Sequence, residues 1–277
     1  MLRLPSKALG KDAWGAVSTA PWFENPRGLK IGEIWFETSP EVPVLVKLLF
    51  TSDKLSIQVH PGDEYAQLHE KSRGKTEMWH VLRAEPDSKV GIGLQETVSE
   101  DRLRSAIATG EIAGMLKWVP AAVGDTFFVP AGTIHAIGGG LVICEVQQFS
   151  DVTYRLHDYG RGRELHIEKA IDVSERKPFD GRATPAGNVL VECEYFRTER
   201  LPVKGSLTCP PTTGPQLYIA VAGQGTIAGV AFGPGEAWEI SAGEGPLELK
   251  SGGATFIVVT PAQTRAERID NRSSAPS

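Results

Sequence analysis

Three cysteines in 277 residues, Cys144, Cys193 and Cys209, form neither an even set nor a CxxC pair. That excludes a disulfide framework and a thiolate zinc site, and fits ordinary thiols in a reducing compartment. No apolar run approaches the roughly 20 residues that a membrane-spanning helix needs. The opening Met1-Leu2-Arg3-Leu4-Pro5 lacks the apolar stretch of a secretion signal. Excess positive charge is missing too: 29 Lys plus Arg face 34 Asp plus Glu, a net charge of -5. Nonspecific nucleic-acid binding needs a basic surface to replace phosphate counterions, so that class is excluded. The expectation is a soluble, cytoplasmic protein with no nucleic-acid and no membrane partner. Its size fits one large domain or two of ordinary size.

Histidine is unevenly spread. All six (His60, His69, His80, His135, His157 and His166) precede residue 176, and that part holds 19 basic and 24 acidic side chains against 10 of each afterwards. The 30 glycines and 19 prolines cut the chain into short pieces. Val/Ile/Phe-rich runs read as strands at 44–50, 55–60, 126–129, 140–147 and 255–260. Helices are predicted over 63–71 and over 99–115, where Leu103, Ile107, Ile112 and Leu116 recur at roughly helical spacing. The polar stretch 174–185, with two prolines and a glycine, reads as a linker. The chain therefore divides into a chemically equipped module, 1–175, with a short helical insertion near 99–116, and a β-rich module, 176–277. Two motifs are decoys. Gly74-Lys75-Thr76 has His69 where a P-loop needs its first glycine, and Gly223-Gln224-Gly225-Thr226-Ile227-Ala228 has no helix after it, so it reads as a hairpin turn.

The most specific segment is Gly124-Asp125-Thr126-Phe127-Phe128-Val129-Pro130-Ala131-Gly132-Thr133-Ile134-His135. It matches the second cupin motif, G-x5-P-x-G-x2-H, at every defined position. A strand leads into a Pro/Gly turn and then projects a histidine into a barrel mouth. In Leu55-Ser56-Ile57-Gln58-Val59-His60-Pro61, strand alternation puts Ser56, Gln58 and His60 on one face. The same alternation puts Lys75 with Glu77. Gln58, His60, Glu77 and His135 would offer two imidazoles, a carboxylate and an amide oxygen, a mixed set suited to a catalytic divalent metal rather than a closed structural zinc. A metal-free buried polar network is the plainer alternative. In the segment 144–155, strand–bend–strand geometry puts Asp151, Thr153 and Arg155 on one face. Arg155 suits a phosphate or an oxyanion; a surface pair with Asp151 is the alternative. His69 reads as exposed, His80 as pointing away from Glu77, His157 as unsupported and His166 as a helix start. The six tryptophans default to core.

Together these residues resemble type I mannose-6-phosphate isomerase (phosphomannose isomerase) in its short bacterial form, a member of the cupin superfamily. The resemblance runs from Trp14-Gly15 through Ile31-Gly32-Glu33-Ile34-Trp35, 55–61, 74–79 and 130–135 to Ser150-Asp151-Val152-Thr153-Tyr154-Arg155. It implies an all-β-dominated double cupin of two jelly rolls with a small helical insertion, the second module degenerate and without ligands. It further implies one zinc ion per chain on Gln58, His60, Glu77 and His135, with Arg155 catalytic or phosphate-facing and Asp151 before it. Lys47, Ser56, Lys75 and Glu145 match pocket-lining positions. Ile137 stands where longer relatives carry an aromatic residue, and Gly74 where they often carry histidine.

The expected activity is interconversion of mannose 6-phosphate and fructose 6-phosphate through an enediol, in an enzyme of carbohydrate metabolism. Lys75, Asp151 and Glu145 are the candidates for proton transfer, while Lys47, Ser56, Lys75 and Arg155 would meet a phosphosugar. A nonenzymatic sugar-phosphate-binding cupin and an iron cupin oxygenase are the other readings. Monomer and homodimer both stay open.

Overall fold

The computed structural model describes residues 1–262; residues 263–277 of the expected second module lie outside the described residues. Strands dominate and helices are short. None of the described helices is long and apolar enough to cross a membrane. The chain clusters into two compact units: Pro5–Glu37 with Leu45–Thr184, and Met1–Leu4 with Thr38–Val44 and Pro185 onward.

The first of these units is a jelly roll of two antiparallel sheets, one of five strands and one of six. Alternation along each strand decides what faces where. In the five-stranded sheet, Ile57, Val59, Ile134, Ala136, Tyr154 and Leu156 all join one apolar cluster with Leu103, Ala106, Ile107, Ala170 and Ile171 from the helices Glu100–Thr109 and Ile167–Val173. Burial of that outer face under the helices turns the intervening residues Gln58, His135 and Arg155 inward. In the six-stranded sheet, strand Glu77–Ala84 pairs with strand Leu141–Gln148, placing Glu145 opposite Trp79 and Gln147 opposite Glu77. The rows Glu77-Trp79-Val81 and Leu141-Ile143-Glu145-Gln147 are polar at one end and apolar at the other. Trp79, Val81, Leu141 and Ile143 fill a core with Trp14, Ile92, Phe127 and Ile137. The barrel therefore has a packed apolar end and a polar end.

The helical insertion is real but interrupted. Ser99 caps the first helix by accepting from the Arg102 amide at 3.2 Å. Gly110, at φ 80°, ends that helix; a separate turn of helix, Ile112–Met115, follows. Leu116 then opens the strand Leu116–Pro120 instead of continuing the helix. The stretch expected as a linker is a strap. The amides of Val98 and Phe128 bond the carbonyls of Arg176 and Gly181 at 3.0 and 2.7 Å, and Glu175 bonds Gly132 at 2.8 Å. Its polar composition reflects exposed side chains, while its backbone is anchored on the first unit.

The other unit is a curled eight-stranded sheet. Its spine is a long pair, Phe196–Cys209 with Leu247–Pro261, bent where the register shifts between Val203 and Gly205. Trp238, Phe256, Phe232 and Leu249 lie at its core. Leu2 and Arg3 pair with Glu239 and Trp238 and add an edge strand to this sheet, while Ser39 bonds the Glu239 carboxylate. Gly223, at φ 75°, lies between the strands Gln216–Ala222 and Gly225–Ile227. A Cβ there would stand 2.0 Å from the Gly253 carbonyl oxygen. The glycine pattern is therefore not the expected hairpin turn: both flanking strands pair with Leu247–Pro261, and Gly223 allows close backbone approach at the break between them.

Candidate metal centre

Three cross-strand neighbours build one wall of the site. Gln58, on strand Ile57–Val59, pairs with His135 on strand His135–Ile137 and with Arg155 on strand Tyr154–His157. His60 follows directly after its strand, anchored by Gly132, whose amide bonds the His60 carbonyl at 2.8 Å. Glu77 and Glu145 approach from the opposing sheet. Among the described residues, His60, Glu77 and His135 form the one group of three such side chains whose ligand atoms all lie within 4.8 Å of one another.

Hydrogen bonds on the far side of each imidazole fix its lone pair. His60 Nδ1 lies 2.9 Å from the Val152 carbonyl and His135 Nδ1 lies 2.8 Å from that of Thr133. A carbonyl only accepts, so each Nδ1 carries the proton and each Nε2 presents a lone pair inward, as in metal-ligating histidines. His60 Nε2 stands 3.5 Å from one Glu77 oxygen and His135 Nε2 3.4 Å from the other. Ligands held at ~2.0–2.2 Å around one tetrahedral centre stand about 3.3 Å apart, so the spacing fits a shared cation. Gln58 lies beside this group: its amide nitrogen is 3.3 Å from His135 Nε2, and a half-turn of the amide would bring its oxygen there instead. Glu77 Oε2 is buried without a well-directed hydrogen bond, although the Lys75 ammonium lies 2.7 Å away. The Lys75 ammonium also stands 2.9 Å from His60 Nε2, so this corner already holds a positive charge; two imidazole lone pairs and a carboxylate are a cation's donor set, and these residues fit a divalent metal.

Electrostatics reinforce this. Burial, then the charges of Lys75 and His135, holds His60 well below the ordinary imidazole range. His135 is pushed down to about 4, by burial and then Lys75, against its bond to Thr133. Both therefore stay neutral ligands at physiological pH. Burial pulls the Lys75 ammonium down, but Glu77 and Glu145 outweigh it and hold it above its ordinary value. Glu145, 3.6 Å from Lys75, is pushed up to about 7 by burial and by the Glu77 charge, with Lys75 and Lys47 pulling the other way.

The cluster opens into a polar cavity of about 260 Å³. Lys47, Ser56, Gln58, Lys75, Glu77, Glu145, Asp151 and Arg155 line it, so the sequence-predicted residues meet at one place, with His60 and His135 just beneath. Asp151 does not pair with Arg155; its carboxylate lies 3.9 Å from Lys47 Nζ and its side chain is 71% exposed. Residues not singled out as site residues from the sequence also line the cavity: Lys11, Glu33 and Arg163. Trp35 stands just behind them, with Lys47 Nζ 4.3 Å over its ring and its indole N–H donating to Glu33 at 2.7 Å. The Glu33/Trp35 spacing on one strand is the available signal; Lys11 and Arg163 arrive by tertiary contact alone. Ile137 packs against the cavity floor, and Gly74 explains its own size: a Cβ would stand 2.6 Å from the Asp63 amide nitrogen. The remaining histidines stay apart. His80 meets Thr126 at 2.9 Å, His69 stacks on Tyr65, His157 packs on Tyr159 and His166 precedes its helix. A larger open groove of about 910 Å³ in the other unit is lined mainly by glycines and hydroxyl side chains and holds no such donor set.

Two facing antiparallel sheets, with a buried His/Glu/His cluster at their polar end, define a cupin able to hold a metal. No family model matches the chain. Over 224 residues it is 39% identical to the mannose-6-phosphate isomerase of Streptococcus mutans, spanning 73% of this chain and 70% of that protein. The crystal structure of mannose 6-phosphate isomerase from Bacillus subtilis superposes with a TM-score of 0.84 at 25% identity, covering 93% of this chain and 98% of that one. A mannose 6-phosphate isomerase structure described as holo and zinc-bound shares the fold, with a TM-score of 0.75, 15% identity and coverage of 94% and 99%. The chain belongs to the mannose-6-phosphate isomerase family.

Proposed function

We propose that the chain interconverts mannose 6-phosphate and fructose 6-phosphate, with a zinc ion held by His60, Glu77, His135 and Gln58. The observation that carries this is the neutral His/Glu/His donor set opening into a cavity walled by Lys47, Lys75 and Arg155. The names of its relatives supply the substrate. A bound zinc would polarise the sugar's oxygens and stabilise the charge that builds up as the C2 proton leaves.

The chain's own residues do the rest. Arg155, half-buried, holds out a guanidinium whose Nε makes no hydrogen bond. Aldose–ketose exchange removes a proton at C2 and delivers one at C1, work for a group titrating near neutrality. Glu145 is our choice as proton carrier: it is buried, lines the cavity and is pushed up to about 7. Lys75, protonated and 3.6 Å away, is placed to donate to a sugar oxygen. Asp151, at the exposed mouth, has a solvated carboxylate and is the weakest of the three candidates. Three free thiols without a disulfide fit a reducing, cytoplasmic setting. Cys144, buried and pushed up to about 12, is inert.

The test is turnover of mannose 6-phosphate by freshly purified protein, followed through a fructose 6-phosphate-specific coupling enzyme. The expected turnover number lies in the usual range of about 1–10³ s⁻¹. Tight phosphosugar binding without turnover would instead establish the nonenzymatic cupin.

A further inference from the structure

The geometry points to Asp158 as a positioning residue that locks Arg163 beside Arg155, making a two-guanidinium receptor for the dianionic phosphate of the substrate. This rests on the phosphosugar reading above and adds to it the element that selects a phosphorylated sugar over a neutral one.

The segment that follows strand Tyr154–His157 folds back on itself. Tyr159, Gly160 and Gly162 all take left-handed conformations, at φ 53°, 77° and 77°. Such a conformation is costly for a tyrosine and persists only where its surroundings hold it. The reversal returns Arg163 onto Asp158. Arg163 Nε donates to Asp158 Oδ2 at 2.8 Å and Nη2 donates to Oδ1, a two-pronged, charge-assisted contact. Asp158 is only 4% exposed, so its charge is tolerable only because it is paired. Burial pushes this carboxyl upward, but the bonds from Arg163 and the charges of Arg163, Arg161 and Arg155 outweigh it and hold it below its ordinary value.

Both Asp158 oxygens accept from Arg163 and the side chain is only 3% exposed, which keeps Asp158 itself out of reach of a substrate. Arg163 is different. The fork uses two of its five N–H donors, its side chain is 36% exposed, and it lines the same cavity as Arg155 and Lys47. Arg155 spends Nη1 on the Glu164 carbonyl, at 2.7 Å, and keeps a buried Nε without a partner. Burial and then the charge of Arg163 hold the Arg155 guanidinium below its ordinary value, a sign that the two cations sit within each other's field. Two like charges at one cavity wall are thus set against a single buried carboxylate that is bonded to Arg163 alone. A phosphate dianion supplies what that arrangement lacks.

The experiment compares zinc-loaded parent, Arg163→Ala, Asp158→Asn and the double variant, measuring kcat and KM for mannose 6-phosphate, inhibition by inorganic phosphate, and metal content. Loss of one charge-assisted contact corresponds to about a tenfold change. Arg163→Ala is expected to raise KM about tenfold or more and to weaken phosphate inhibition in parallel. Its kcat should stay within about threefold and its metal content should not change. Asp158→Asn should reproduce this split, and the double variant should be no worse than Arg163→Ala, because the two residues act as one unit. A KM and a phosphate inhibition within about twofold of the parent in Arg163→Ala would overturn the inference, as would additive losses in the double variant. Arg163→Ala keeps the test decisive even if Asp158→Asn fails to fold, since that arginine is more than a third exposed. A parent that turns over no mannose 6-phosphate would sink the isomerase reading itself, an outcome distinct from an active parent with an unmoved Arg163→Ala variant.

Discussion

His135→Ala is expected to lose metal and turnover together while the barrel stays folded. His135 Nε2 is one of the four donors proposed for the centre, and no neighbouring side chain can replace it: Gln58 is already counted among them and Lys75 is a cation. Metal polarisation contributes several kcal/mol to such chemistry, so turnover should fall by a factor of about 10³ or more. The fold should survive, because strand His135–Ile137 is held through its backbone by Gln58 on one side and Ile92 on the other. Trimming one buried side chain costs ordinarily ~1–3 kcal/mol. Elemental analysis, steady-state rates and a thermal melt on the same preparation check all three parts. Full metal content with undiminished turnover would remove His135 from the centre.

Arg155→Ala should give the complementary result, metal retained and isomerisation nearly lost. Arg155 is not a member of the His60/Glu77/His135 cluster, and it pairs with Gln58 through the backbone of its strand. Its side chain lines the cavity, and beyond the Nη1 bond to the Glu164 carbonyl the guanidinium has further donors to offer an oxygen of the substrate. Removing such a donor from a water-poor site ordinarily costs about 10²–10³ in kcat. Arg155→Lys should recover little of this, since an ammonium lacks the planar fork. Rates measured at matched zinc content decide it; an unchanged kcat would take Arg155 out of the chemistry. The contrast with Arg163, where KM is expected to move instead, separates two arginines that share one cavity.

Much of this site is legible in the residue pattern alone, and the reason is alternation. In 55–60 the odd positions are apolar and the even ones polar, and the structure buries Ile57 and Val59 under helices while Gln58 faces the cavity. The Pro130 to His135 turn carries its geometry in its residue types, and Glu77 with Lys75 follows from period two. What stays hidden depends on contacts distant in sequence. Lys11 reaches the cavity from a turn before strand Ile31–Phe36, Trp35 reads as generic core until Lys47 is seen above it, and Arg163 enters only because a left-handed reversal returns it to Asp158. The same holds for the fold. Nothing local in Leu2-Arg3 announces pairing with Glu239 and Trp238, and nothing in 174–185 shows that its backbone is bonded to the first unit. Side-chain polarity reports exposure to water, whereas backbone hydrogen bonding, which fixes such segments, leaves little trace in composition.

The most direct measurement is metal content and mannose 6-phosphate turnover on the same freshly purified sample, before chelation, after it, and after zinc is restored. The account requires zinc bound at the outset, turnover lost with the metal, and recovery of both on adding zinc back. Undiminished turnover in a demonstrably metal-free sample would contradict it.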